Sequence, residues 1–189
     1  MQLDWLDHFQ HIVIPAWQAY IRAEERLSAA MRADDEAAIQ NARYDALREG
    51  GAAAFYLHHF AEVVHRAQPH WISPDATKAD IWSTVEESCT MLRTDNPVRD
   101  VSLLGDVADA LKHAVLNRRL EDRQVAAAEA VVVTGDGFGV LAFGEGKFGG
   151  EQVLILARDR TRALSSILQN VVDAWRRTVG LDLPDIGQG

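Results

Sequence analysis

Cysteine is almost missing. Cys89 is the single one in 189 residues, which excludes a disulfide framework and any zinc site built from several cysteines of one chain. It falls on the expected inner face of a helix, where a thiol packs as a small apolar group. No apolar run approaches the ~20 residues that a membrane-spanning helix needs. The start, Met1-Gln2-Leu3-Asp4-Trp5-Leu6-Asp7, is acidic and lacks the basic and apolar regions of a secretion signal, so the expected location is cytoplasmic. Excess positive charge is lacking too. A net charge of −9 argues against a general nucleic-acid binder or a protein of anionic membrane surfaces.

What is present describes an ordinary globular chain, with 48% hydrophobic and 25% charged residues. Its length suits one domain with a substantial core, or a domain with an appendage. The expected fold class is α+β, mainly α: a helical bundle of four main helices over residues 1–125, then a three-stranded antiparallel meander and an amphipathic closing helix over 126–180. The second part is expected to pack as one unit with the bundle, and 181–189 forms a flexible tail.

The helices are read from a 3.6-residue period. The first covers about Leu3 to Arg32, with Trp5, Phe9, Val13, Tyr20 and Leu27 inward and an interruption expected at Pro15. His8 and His11 flank that stripe. Ala33-Asp34-Asp35-Glu36 supplies an aspartate cap for a second helix reaching about Ala67. Gly50-Gly51 inside it, followed by Ala52, Ala53 and Ala54, makes a smooth strip suited to close helix approach. A third helix runs from Asp75 or Thr77 to about Arg93, with Cys89 inward. Asn96-Pro97 reads as the start of a fourth, continuing to about Asn117. Thereafter the period shortens. Runs 130–134, 138–143 and 152–156 read as strands around glycine-rich turns, and the closing helix spans about Arg160–Val179.

The second helix carries three of the seven histidines, on what its wheel gives as the polar side. Tyr56, Leu57, Phe60, Ala61, Val63 and Val64 fill the opposite, apolar arc. Glu62 and His65 have the Glu-x-x-His spacing that carboxylate-bridged di-metal bundles present inward. His58 and Glu62 stand one turn apart and suit chelation of one ion. Asp106, Asp109 and His113 form a similar group on the fourth helix. A divalent transition metal held by His58, Glu62, His65, Asp109 and His113 is therefore one reading. A solvated polar face explains the same residues and ranks above it.

Other motifs fare worse. Gly144-Glu145-Gly146-Lys147-Phe148-Gly149 matches a dinucleotide fingerprint in letters, but a strand-like run follows where the mechanism needs a helix. A nucleophile elbow and a His-Glu-x-x-His zinc motif are absent. The histidine-bearing bundle resembles small helical toxin–antitoxin ribonucleases, whose identifying element is Arg-x-x-x-x-His. Arg66 to His70 is one residue short of it, and His113 with Arg118 is reversed, so no family is assigned. Lys112, Arg118, Arg119 and Arg123 form a local basic patch that helix-dipole complementation accounts for, with an anionic ligand or nucleic acid as a further reading.

No coherent catalytic set emerges, so the chain reads first as a non-catalytic structural or interaction protein that self-associates. Five tryptophans support this, several near loops or helix edges, Trp71 and Trp17 among them. Trp71, Lys112, Arg118 and Arg119 are the candidate contact residues.

Overall fold

The computed structural model describes residues 4–90, 97–112, 123–125, 127–134 and 151–180. Helix α1 (Trp5–His8), a π-helical turn (Phe9–Val13) and helix α2 (Ile14–Ala33) follow one another without a break. Pro15 explains the π turn. Its ring clashes with the carbonyl four residues back, and it has no N–H to donate. The Ile14 N–H reaches back five residues to the Phe9 carbonyl while the backbone stays right-handed helical at His8 and Ile14. The interruption expected at Pro15 is thus a widened turn inside one rod.

Helix α3 (Glu36–Ala67) returns alongside. Asp34 closes α2 in the left-handed region at φ 53°, and Asp35 opens α3 by accepting the Ala38 N–H at 3.1 Å. At about 1.5 Å per residue α3 is roughly 48 Å long. Around it lie α1, the π turn, α2, α4 (Lys78–Glu87), α5 (Asp100–Lys112) and α6 (Leu164–Val179). The glycine pair permits this crowding. A Cβ on Gly50 would stand 2.8 Å from Leu164 Cδ2 and 3.1 Å from Tyr20 Cε2, and one on Gly51 3.2 Å from Leu111 Cδ1. These are the close helix approaches that the smooth strip predicts.

Thr77 caps α4 in a reciprocal capping box with Asp80. This helix ends at Glu87, short of the expected Arg93. Cys89 lies beyond it, buried in the connection rather than on a helix face. Pro97 pairs with Thr90 in an isolated antiparallel bridge instead of opening a helix. The reason is where the cap comes from. The Glu86 carboxylate accepts the Val101 N–H at 2.7 Å, the Ser102 N–H at 3.2 Å and the Ser102 hydroxyl, so α5 starts at Asp100.

Strands β1 (Val131–Thr134), β2 (Gln152–Leu156) and β3 (Thr161–Ala163) form an antiparallel sheet in that order. Val132 pairs with Leu154, and Leu154 with Ala163. The run 138–143 and both glycine-rich turns lie outside the described residues. Strand β3 comes from residues that the helical period had given to the closing helix. Gln152, Val153, Leu154 and Ile155 are all buried, so β2 is covered on both faces. Helix α6 packs on β2 and β3 and also on α3, α4 and α5. Trp175 on α6 meets Phe60 on α3 at 4.7 Å between ring centroids, and Phe60 meets Phe9 at 5.0 Å.

Charged groups also enter this core. Arg162 on β3 donates to both Asp100 carboxylate oxygens, at 2.6 and 3.0 Å, and Asn170 on α6 donates to Asp100 at 2.7 Å. All three are buried. Tyr20 donates to the buried Glu24 carboxylate at 2.6 Å, and the same oxygen accepts the Val153 N–H at 3.3 Å. Burial and the Glu24 charge push the Tyr20 hydroxyl well above its ordinary pKa. Arg43 holds the buried Glu151 through two nitrogens.

Candidate functional site

Helix α3 presents two distinct surfaces outside its apolar arc. One faces α4 and α5 and carries His58. The imidazole stacks on Trp82 at 4.8 Å and 15°, while the Trp82 indole N–H donates to the His58 carbonyl at 3.3 Å. Across α5 the ring abuts Gly105, where a Cβ would stand 2.7 Å from His58 Cε1. The Nδ1 atom is buried without a hydrogen-bond partner. Burial, reinforced by the neighbouring His59, pushes the imidazole pKa from 6.5 down to about 4 against the opposing pull of Asp109 and Glu62. The wheel had put His58 on the solvated side. A glycine on α5 makes room for it inside.

The other surface faces outward. Tyr44, Phe55 and Tyr56 are 69%, 37% and 39% exposed. Phe55 stacks on His59 at 4.2 Å and meets Tyr56 edge-on at 5.6 Å. His59 Nδ1 lies 3.0 Å from the Phe55 carbonyl. Lys112 of α5 stands 6.0 Å over the Phe55 ring. Beside this cluster runs an open cleft of about 390 Å³ bordered by His8, Tyr56, His59, Val63 and Arg66. Tyr56 and Val63, which the wheel assigned to the apolar arc, lie at its rim: Tyr56 is exposed and Val63 half-buried.

The residues singled out for a metal are placed apart in purpose. Glu62 accepts from Lys78 at 2.8 Å, and that partnership holds its carboxyl below the usual range. His65 borders a shallow hollow together with Glu62 and two cations, Arg66 and Lys78. Asp109 accepts from Arg123 at 3.0 Å, and Asp106 accepts the Gln124 N–H at 2.7 Å. These two carboxylates fasten the segment returning from α5. Burial nevertheless raises the Asp106 pKa. His113 lies outside the described residues. Among the described residues no group of three or more His, Cys, Asp or Glu side chains is placed to hold an ion.

The contact candidates are redistributed as well. Trp71 packs edge-on against Trp5 at 6.0 Å and 73°, anchoring its loop on the core. Trp17 is only 4% exposed and belongs to the interior. Among the described members of the basic patch, Lys112 reaches the aromatic cluster. Arg123 is matched by Asp109, and Arg118 and Arg119 lie outside the described residues. Sequence reasoning missed the Phe55–Tyr56–His59 cluster as a surface because it read Tyr56 as buried. The signal was there: Tyr44, Phe55 and Arg66 are each eleven residues apart, close to three full turns. Among the described residues no helix is long and apolar enough to cross a membrane. No family model, curated protein or solved structure matches the chain.

Proposed function

We propose that the chain is a non-catalytic interaction protein that associates with itself, and that the outward face of α3 is the contact surface. One observation carries this reading. Of the four large hydrophobic side chains exposed among the described residues, three (Tyr44, Phe55 and Tyr56) lie on α3. Among the other described aromatics, Phe9, Trp17, Tyr20, Phe60 and Trp175 are buried, and Trp5, Trp71 and Trp82 are half-buried. Exposed aromatics gathered on one element, ringed by charged groups such as Arg48, Arg66 and Lys112, have the composition of an interface core with a polar rim.

The chemistry on this face supports binding over catalysis. Its imidazole, His59, is stacked on Phe55 and directs a ring nitrogen at a backbone carbonyl, and its carboxylate, Glu62, is engaged by Lys78. Among the described residues no nucleophile is hydrogen-bonded to a base there. Light scattering coupled to size-exclusion chromatography tests the reading. A mass that doubles as concentration rises from the micromolar to the millimolar range supports it, and a strict monomer throughout refutes it. Replacing Phe55 by Glu is expected to return a dimer to monomer without loss of helical circular dichroism, since the side chain already borders solvent.

A further inference from the structure

The outward face of α3 repeats in a pattern that reads the same from either end. Tyr44, Arg48, Phe55, Glu62 and Arg66 stand at −11, −7, 0, +7 and +11 relative to Phe55. At about 100° per residue they all fall within about 20° of one line along the helix. The line stays straight because eleven residues make nearly three whole turns.

This symmetry has a chemical consequence. When a second α3 lies antiparallel on the first with the two Phe55 residues opposed, each residue meets the one equally far on the other side. Arg48 then faces Glu62, and Tyr44 faces Arg66. The first pair is an ion pair and the second a cation–π contact. Each occurs twice, once at either end of the aromatic centre. A parallel arrangement in the same register would instead set Arg48 on Arg48, Glu62 on Glu62 and Arg66 on Arg66. We infer that α3 docks antiparallel on the α3 of a second copy of this chain, across a two-fold axis at Phe55.

Among the described residues this surface is open. Arg48 and Phe55 are exposed, as are Tyr44 and Arg66. Within one chain Arg48 pairs with Asp45 at 2.9 Å and Glu49 at 3.0 Å, and Glu62 with Lys78 at 2.8 Å. Exposed ion pairs of this kind are weakly held, so they yield to partners in a more shielded interface. A small residue flanks the contact where bulk would keep two helices apart: Ala52 lies about one turn before Phe55. A two-fold axis through Phe55 also makes the interface closed, giving a dimer and not a filament.

The inference rests on the self-association reading, and the test separates the two. Phe55→Cys places a thiol on the proposed axis, whereas Arg66→Cys places two thiols about 33 Å apart in the same dimer, from eleven residues at about 1.5 Å each on either side. Buried Cys89 stays out of the reaction. Under mild oxidation the Phe55→Cys variant is expected to give a covalent dimer on a non-reducing gel and the Arg66→Cys variant to give none. Charge reversal supplies a measurement that leaves Phe55 in place. Arg48→Glu alone and Glu62→Arg alone are each expected to weaken the dimer about tenfold, and the double reversal to restore it. If the wild type is a dimer while the Phe55→Cys variant stays unlinked, or if both thiol variants link equally, the antiparallel α3 contact is overturned and self-association stands. Failure of the double reversal to restore the dimer does the same. A strict monomer at every concentration overturns both, and leaves a different protein as the occupant of the face.

Discussion

His58 gives the fold an acid sensitivity that is worked out from its surroundings. Its ring is enclosed by Trp82 and Gly105, with Nδ1 buried and unpartnered, so protonation puts a charge where nothing accepts its proton. The groups facing it are His59 and Glu62 on α3, Lys78 on α4 and Asp109 on α5. With the folded pKa lowered to about 4 from 6.5, the unfolded chain binds the proton more readily than the folded one. Stability is therefore lost as pH falls, beginning near 6.5 and complete below about 4. Between pH 7 and 4.5 the loss traceable to this one ring is about 2.5 kcal/mol at 25 °C. Urea unfolding of the wild type and of His58→Gln at a series of pH values measures it. Acid weakens both proteins through their carboxylates, so the informative quantity is the difference between the two curves. That difference is expected to shrink by about 2.5 kcal/mol over this interval. Parallel curves, or a His58 ring that titrates near 6.5 by NMR, would refute the argument.

Three further perturbations follow from close contacts. Gly105→Ala is expected to destabilise by about 1–3 kcal/mol, because the new methyl meets His58. In a His58→Ala background the same change should become neutral or stabilising, by up to about 1 kcal/mol from helix propensity, and a thermal-denaturation double-mutant cycle reads the coupling. Arg162→Met leaves the Asp100 carboxylate buried with its Asn170 bond alone from the present network, at a cost of about 3–5 kcal/mol in denaturant unfolding. Adding Asp100→Leu to it is expected to recover much of that loss. Glu86→Ala removes the acceptor at the start of α5 and should cost about 0.5–2 kcal/mol, with hydrogen exchange quickened at Val101 and Ser102.

Local chemistry made most of the helices legible. Asp35 and Thr77 announce their caps, the glycine pair announces close packing, and the stripes of α2, α3 and α6 follow the period of the helix. Where the sequence misled, a partner distant in the chain decided the outcome. The start of α5 is set by Glu86 on the preceding helix, so Asn96-Pro97 gave a false signal for it. Residues 161–163 form a strand because they pair with β2 and because Arg162 finds Asp100, 62 positions earlier. His58 looked solvated on a wheel of α3 alone, since a wheel carries no information about Gly105. Two clues were nonetheless readable. Glu24 sits one turn after Tyr20 within an apolar stripe, and Asn170 interrupts the apolar face of α6. Both are polar residues at core positions, and both prove to be hydrogen-bonded there.

Those buried polar groups also explain how a small sheet is fixed on a helical bundle. Apolar contacts favour burial but tolerate sliding, as volume-conserving core exchanges demonstrate. Asp100 removes that freedom, because its two oxygens are engaged by Arg162 from β3 and by Asn170 from α6 at once. Glu24 does the same between α2 and β2 through the Val153 N–H, and Glu151 ties the start of β2 to Arg43 on α3. A register shift of one residue in β2 would point Val153 and its neighbours to the opposite faces and would leave the Glu24 carboxylate without that backbone donor. Three of the helices thus hold the sheet in one position, and Tyr44, Phe55 and Arg66 on the outward face of α3 stay exposed among the described residues.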